Sequence, residues 1–190
     1  MLASGSRYRA TLLDRLDIPF SATTPDINET PRRNEAPPDL ARRLAVTKAQ
    51  RVSVKNPNAL VIGSDQVVVC DGEVLGKPGT EAKARAQLAL LSGQTALFHT
   101  GLCLLNAATG HFQATVVQTP VTFRPLTSAA IASYVGRERP LDCAGAFKSE
   151  GLGIALFHSI GGDDPNALIG LPLIELCSML AEEGLSVLSP

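Results

Sequence analysis

The stretch Ala59-Leu60-Val61-Ile62-Gly63-Ser64-Asp65-Gln66-Val67-Val68-Val69-Cys70-Asp71-Gly72 organises the rest of the chain. It reads as a buried strand with one polar interruption, followed by a tight hairpin turn at Asp71-Gly72. Asp is disfavoured in strands. An ionised carboxylate without a partner is costly to bury. Apolar runs flank Asp65 on both sides, which predicts that it sits where the strand opens into a cleft. There it could bind a divalent cation or orient water. The competing reading is a structural carboxylate held by backbone donors, and the flanking residues favour function.

Working outward, helices and strands alternate, which argues for an α/β domain. Towards the N-terminus, Pro38 suits the first turn of a helix reaching about Val54, with Ala41, Leu44, Ala45 and Ala49 facing in. A polar, proline-rich loop over 25–39 precedes it. Ser6 can cap a helix ending near Leu16. Only Met1-Leu2-Ala3 stands before that loop and helix, so the first strand is very short or the chain begins downstream of its natural start. Towards the C-terminus, Thr80–Leu91 is a helix capped by Thr80 and stopped by Gly93. A second hairpin spans 95–105 and 111–123 around Asn106–Gly110. A short helix over 127–135, a strand over 153–160 and a helix over 172–183 complete the chain. Hairpins and helical crossovers together predict a mixed sheet.

The 190 residues fit a single domain, 1–190. With 45% hydrophobic and 18% charged residues, the composition excludes a disordered chain. A net charge of −1 offers no basic excess for a nucleic-acid duplex, and 4% aromatics offer no stacking platform. No nucleic-acid partner is expected. No apolar run is long enough for a membrane span. Cys70, Cys103, Cys143 and Cys177 are widely spaced among apolar residues, which predicts buried free thiols and a cytoplasmic setting.

Other residues could carry chemistry. In Ser4-Gly5-Ser6-Arg7-Tyr8-Arg9, a short strand leads through small hydroxyl residues into a helix whose N–H groups can hold an anion. Arg7 and Arg9 add forked donors suited to phosphate. Read locally, an ordinary capped helix with two solvated arginines is the favoured explanation of the segment. Lys48 falls in register with Leu40 and Leu44, as either a snorkelling lysine or a phosphate ligand. Lys77 lies in the rigid turn Gly76-Lys77-Pro78-Gly79, where an exposed lysine is the favoured local reading, and Glu29 in an acidic loop of a kind that is normally solvated, although an ordered loop could close a pocket. Lys148 and Glu150 alternate along an extended strand and would share a face. The segment 161–166 is a turn by composition. His99, His111 and His158 show no metal-ligand or triad spacing and receive no role.

Taken together, the segments resemble the Maf family of nucleotide pyrophosphatases. The matching stretches are Leu2-Ala3-Ser4-Gly5-Ser6-Arg7-Tyr8-Arg9, Asn28-Glu29-Thr30-Pro31, Lys48-Ala49, Ile62-Gly63-Ser64-Asp65-Gln66-Val67 and Gly76-Lys77-Pro78. Ser92-Gly93, His99-Thr100-Gly101, Ala144-Gly145-Ala146-Phe147 and Ile169-Gly170-Leu171-Pro172 follow in family order. The resemblance implies a mixed, twisted α/β sheet with flanking helices and two lobes around a cleft, similar to inosine triphosphate pyrophosphatases. It implies hydrolysis of a nucleoside triphosphate to monophosphate and pyrophosphate with a divalent cation, Mg²⁺ or Mn²⁺, and a homodimer.

By the same resemblance, Asp65 matches the catalytic acid/base position and Glu29 joins it at the metal. Arg9, Lys48 and Lys77 match phosphate-handling positions, with Ser4 and Ser6 as further phosphate contacts. Tyr8, Gln66 and Glu150 match the positions tied to substrate choice. Their identities resemble the branch acting on 7-methylguanosine triphosphate. An aromatic such as Tyr8 favours the cationic methylated ring, and a carboxylate such as Glu150 can accept from guanine N1–H and N2. The alternatives are the branch acting on dTTP and UTP, and a nucleotide-sensing regulator linked to cell division.

Overall fold

In the computed structural model, which describes residues 1–188, the chain opens with β1 (Leu2–Ala3) and α1 (Arg7–Asp14). The Ser6 hydroxyl caps α1 by accepting from Arg9 N–H. A long irregular segment leads to α2 (Pro37–Ser53), which starts on its two prolines. Then come β2 (Leu60–Cys70), β3 (Glu73–Leu75) and α3 (Glu81–Leu91), whose cap is Thr80. The long strands β4 (Thr95–Asn106) and β5 (Phe112–Phe123) follow, then α4 (Ser128–Glu138), β6 (Phe157–Ile160) and α5 (Leu173–Glu182).

The six strands form one sheet in the order β1-β2-β4-β5-β6, with β3 also pairing β2. It is mixed, as expected. β1 runs parallel to β2, with Leu2 opposite Ile62, whereas β2 with β3 and β5 with β6 are antiparallel. Asp71 (φ 49°) and Gly72 (φ 77°) supply the left-handed pair that a two-residue hairpin needs. The short first strand is covered on its outer side, where Leu2 exchanges backbone bonds with Ser21 and Thr23 at 2.8 and 2.9 Å.

Two compact units divide the chain. The first comprises 1–66, 100–117 and the chain from Asp164 onward. Strand alternation gives it two apolar layers. Leu2, Ile62, Leu102 and Leu104 share one cluster with Leu12 and Leu13 of α1 and Leu173, Leu176 and Leu180 of α5. Ala3, Val61, Cys103 and Leu105 share the other with Ala45, Ala49 and Val52 of α2. Gly63 and Gly101 let α2 lie close to the sheet. A Cβ at Gly63 would fall 2.1 Å from Ala45 O, and one at Gly101 would fall 2.2 Å from Ala41 O.

The second unit comprises 67–99 and 118–163. Phe98, Phe123, Phe147 and Phe157 meet edge to face in its interior, with ring centroids 4.9 to 5.7 Å apart. Here two expectations are corrected. The strand predicted over 153–160 starts only at Phe157, after a 3₁₀ turn at Leu152–Leu156. Lys148 and Glu150 lie in a loop and turn, on no strand. The cause is local. Gly153 is folded back on Lys148, where a Cβ would fall 2.2 Å from Lys148 O, and Leu152 N–H is taken by Glu138 Oε1 at 3.1 Å. All four cysteines are free, but only Cys70 and Cys103 are buried; Cys143 and Cys177 are half-buried. Among the described residues no helix is long and apolar enough to cross a membrane.

Candidate active site

The period of two along β2 sorts its polar interruption onto two faces. Val61, Gly63 and Asp65 look towards α2; Ile62, Ser64 and Gln66 look the other way. Because Gly63 admits α2 so closely, the buried Lys48 of that helix reaches Asp65, with Nζ 2.5 Å from Oδ1. The same ammonium lies 2.7 Å from Glu29 Oε1. Two carboxylates from separate parts of the first unit thus converge on one cation. The Asp65 side chain is 13% exposed and that of Lys48 9%, whereas Glu29 is 55% exposed. The strand does not open at Asp65, as the sequence suggests; it continues to Cys70. Its neighbour ends instead, since β1 stops level with Gly63.

On the opposite face, the turn before α5 is held by side-chain hydrogen bonds. Ser64 Oγ donates to Gly170 O at 2.8 Å. Gln66 Nε2 donates to Thr100 Oγ1, Ala167 O and Leu168 O at 3.0 to 3.1 Å. Arg9 Nε donates to Gly170 O at 2.7 Å and Nη1 to Ser4 Oγ at 3.4 Å. Burial pulls the Arg9 guanidinium below its ordinary range, while the charges of Asp65 and Glu29 pull it back up. Ser4, itself buried, also accepts from Ser6 N–H at 3.1 Å. These bonds use two of the five N–H donors of Arg9 and leave the rest for a ligand.

The structure therefore brings together Ser4, Ser6, Arg9, Glu29, Lys48 and Asp65 within the first unit. Tyr8 stands beside them on α1, its ring 4.9 Å from the Arg7 guanidinium and its hydroxyl accepting from Arg7 at 3.0 Å. The ring already receives a cation. Lys77 and Glu150 belong to the second unit. There Tyr134 Oη accepts from Lys148 N–H at 3.0 Å, and Lys148 Nζ donates to Glu138 O at 2.8 Å. With the bond from Leu152 N–H to Glu138, both ends of the Glu150 turn are tied to α4.

Sequence reading missed several supports. Asp164, buried, accepts from Asn166 and Ile174 N–H at 2.9 and 2.7 Å and so fixes the entry to α5. Asn166 in turn accepts from Arg15. The Asp164-Pro165-Asn166 run signalled only a turn. Glu35 and Arg43 form a bidentate pair at 2.5 and 2.8 Å, between a loop and a helix, where no helical spacing announces it. His111 pairs with Glu183 at 2.9 Å, away from the residues above. Hydrogen bonds from Asn106 and His111 lower the Glu183 carboxyl.

Two carboxylates, an ammonium and a half-buried guanidinium, gathered beside the end of a short parallel strand, make this an α/β protein with a compact charged site. The chain belongs to the Maf family: residues 1–183 match the family described as Maf-like protein. It is 55% identical to the "7-methyl-GTP pyrophosphatase" of Aromatoleum aromaticum over 185 residues, 97% of this chain and 95% of that protein. The proteins of the same name from Nitrosococcus oceani and Cupriavidus pinatubonensis are 54% and 53% identical. They match over 99% and 97% of this chain and 94% and 92% of their own.

Proposed function

We propose that this chain hydrolyses 7-methyl-GTP to 7-methyl-GMP and pyrophosphate and so clears a modified nucleotide. The observation that carries the reading is Lys48 Nζ held between Asp65 and Glu29, at 2.5 and 2.7 Å. Relatives at 53–55% identity bear that activity as their name. Four free thiols suit a reducing cytoplasm.

Arg9, Lys48, Asp65 and Glu29 sum to no net charge, so the cluster alone does not offset a triphosphate. A divalent cation answers this need. The donors fit: two carboxylate oxygens converging on one point are the hard ligands that Mg²⁺ or Mn²⁺ takes, with phosphate oxygens completing the set. Among the described residues no group of three or more His, Cys, Asp or Glu side chains could hold a metal unaided. Glu29 and Asp65 would hold the ion, which would polarise the phosphate. Asp65 orients the attacking water and accepts its proton. Lys48 turns from the carboxylates towards the phosphate oxygens, and Arg9 directs its remaining donors at them.

The base is read by chemistry that prefers a cationic purine. Tyr8 offers a ring face that a cation already occupies in this structure. Glu150 accepts from the guanine edge. Gln66, whose amide nitrogen is committed to the turn before α5, can present only its oxygen to a ligand. Turnover of 7-methyl-GTP in ¹⁸O-water tests the reading. Water attack on the α-phosphorus puts the label in 7-methyl-GMP. Label in pyrophosphate, or binding without turnover, contradicts it.

A further inference from the structure

Glu29 sits in a segment that forms no helix and, beyond one bridge at Ala22, no strand between Ile18 and Ala36. Such a segment is free to place its carboxylate in many ways, yet Glu29 is found on Lys48. Two residues outside the described site account for its placement. Arg43, on the same helix as Lys48, donates from Nε to Glu35 Oε1 at 2.5 Å and from Nη2 to Glu35 Oε2 at 2.8 Å. The same Nη2 reaches Thr30 O at 3.2 Å, on the residue that follows Glu29. Glu35 Oε2 also accepts from Arg32 N–H at 2.8 Å. On the other side of Glu29, Asn28 Oδ1 accepts from Thr30 N–H at 2.9 Å. The loop is thus tied at residues 30 and 35 to one guanidinium, and residue 32 is tied to the Glu35 carboxylate that the guanidinium holds.

Both side chains of the pair are shielded, Glu35 at 8% exposure and Arg43 at 18%. The Arg43 and Arg32 hydrogen bonds hold the Glu35 carboxyl down at about 2, so the pair stays ionised at any working pH. A planar fork fixes orientation as well as distance, which a lysine in its place would not do.

We propose that Arg43 and Glu35 are positioning residues for the reaction: their forked pair, closed onto Thr30 O, sets the Glu29 carboxylate against Lys48 and Asp65. The inference rests on reading Glu29 as part of the site. Arg43 acts through the loop that carries Glu29; its charge is also felt by Asp65.

The test is a double-mutant cycle on 7-methyl-GTP turnover, with amide hydrogen exchange over 28–35 measured beside it. Arg43→Ala lowers kcat roughly 10-fold, since misplacement by about an ångström is costly to a positioned group. Arg43→Lys falls between it and the parent. Exchange over 28–35 speeds up in Arg43→Ala. The deciding result is in the Glu29→Gln background, where adding Arg43→Ala causes no further loss, because the group it positions is already gone. A loss that multiplies undiminished in that background overturns the proposal, and so does unchanged exchange over 28–35. Normal turnover by Glu29→Gln itself overturns the reading of Glu29, and the proposal falls with it. Should Arg43→Ala fail to fold, Glu35→Gln, which keeps shape but loses the ionic fork, completes the same cycle.

Discussion

Gly63→Ala is the smallest change that separates the account from a generic α/β core. The added methyl group would lie 2.1 Å from Ala45 O and 2.9 Å from Ala49 N, both backbone atoms of α2. Ordinary contact begins at 3.4 Å, so about 1.3 Å has to open between β2 and α2. No flexible side chain can absorb it. Overpacking of this kind costs about 1–3 kcal/mol. In a chain of this length each kcal/mol lowers Tm by roughly 2–4 °C. The effect on chemistry should be larger than the effect on stability. Ala45 and Ala49 flank Lys48 on its helix, so the displacement carries Nζ out of hydrogen-bond reach of Asp65. A misplacement of about 1 Å can cost on the order of 10²-fold in rate.

The assay pairs kcat/KM on 7-methyl-GTP with thermal unfolding. Gly136→Ala is the control. Nothing lies within 4 Å of a Cβ there, and in the interior of α4 the change should raise stability by up to about 1 kcal/mol. A Gly63→Ala variant with the parent's Tm and turnover within twofold would refute the argument that close approach of α2 builds the site.

Three further outcomes are expected. Asp65→Asn keeps shape but removes the base, so kcat falls by about 10²-fold or more with the fold retained, read by circular dichroism beside turnover; near-normal turnover would remove Asp65 from the mechanism. Gln66→Glu turns a donor to Thr100, Ala167 and Leu168 into an acceptor facing their oxygens, at a cost of about 1–3 kcal/mol; an unchanged midpoint in urea unfolding would contradict the clamp. Glu35 has its carboxyl lowered from 4.5 to about 2, so its contribution is fully present above pH 4.5 and fades as pH falls towards 2. The stability gap between parent and Glu35→Gln should therefore shrink over that window, and a gap constant from pH 6 to 2 would show that the pair is not the source.

Much of this was legible in the sequence because it is periodic. Apolar spacing on α2 put Lys48 in register with its inward residues, the apolar run of β2 isolated Asp65, and caps at Ser6 and Thr80 marked helix starts. Turn chemistry placed both hairpins. What was not legible depends on contacts remote in the chain. The 3₁₀ turn over 152–156 replaced an expected strand because Glu138 takes up Leu152 N–H and Gly153 packs against the Lys148 backbone. Local residues showed Glu29 only as part of a polar loop, and the family resemblance alone put it at the metal, since its partner lies 19 positions on, beyond any local period. Glu35 and Arg43 were invisible for the same reason. Gln66 was assigned by resemblance to substrate choice, and its bonds to the turn before α5 could not be read from one strand alone.

The charged site centred on Asp65 is proposed to hydrolyse a methylated purine triphosphate. A single competition reaction holding equal amounts of 7-methyl-GTP, GTP, dTTP and UTP, with each followed to its monophosphate, tests it most directly. Consumption of 7-methyl-GTP should come first, GTP next and the pyrimidines last, and Glu150→Ala should narrow the lead of the methylated purine. Consumption of dTTP or UTP ahead of 7-methyl-GTP, or binding of all four with none consumed, would contradict it.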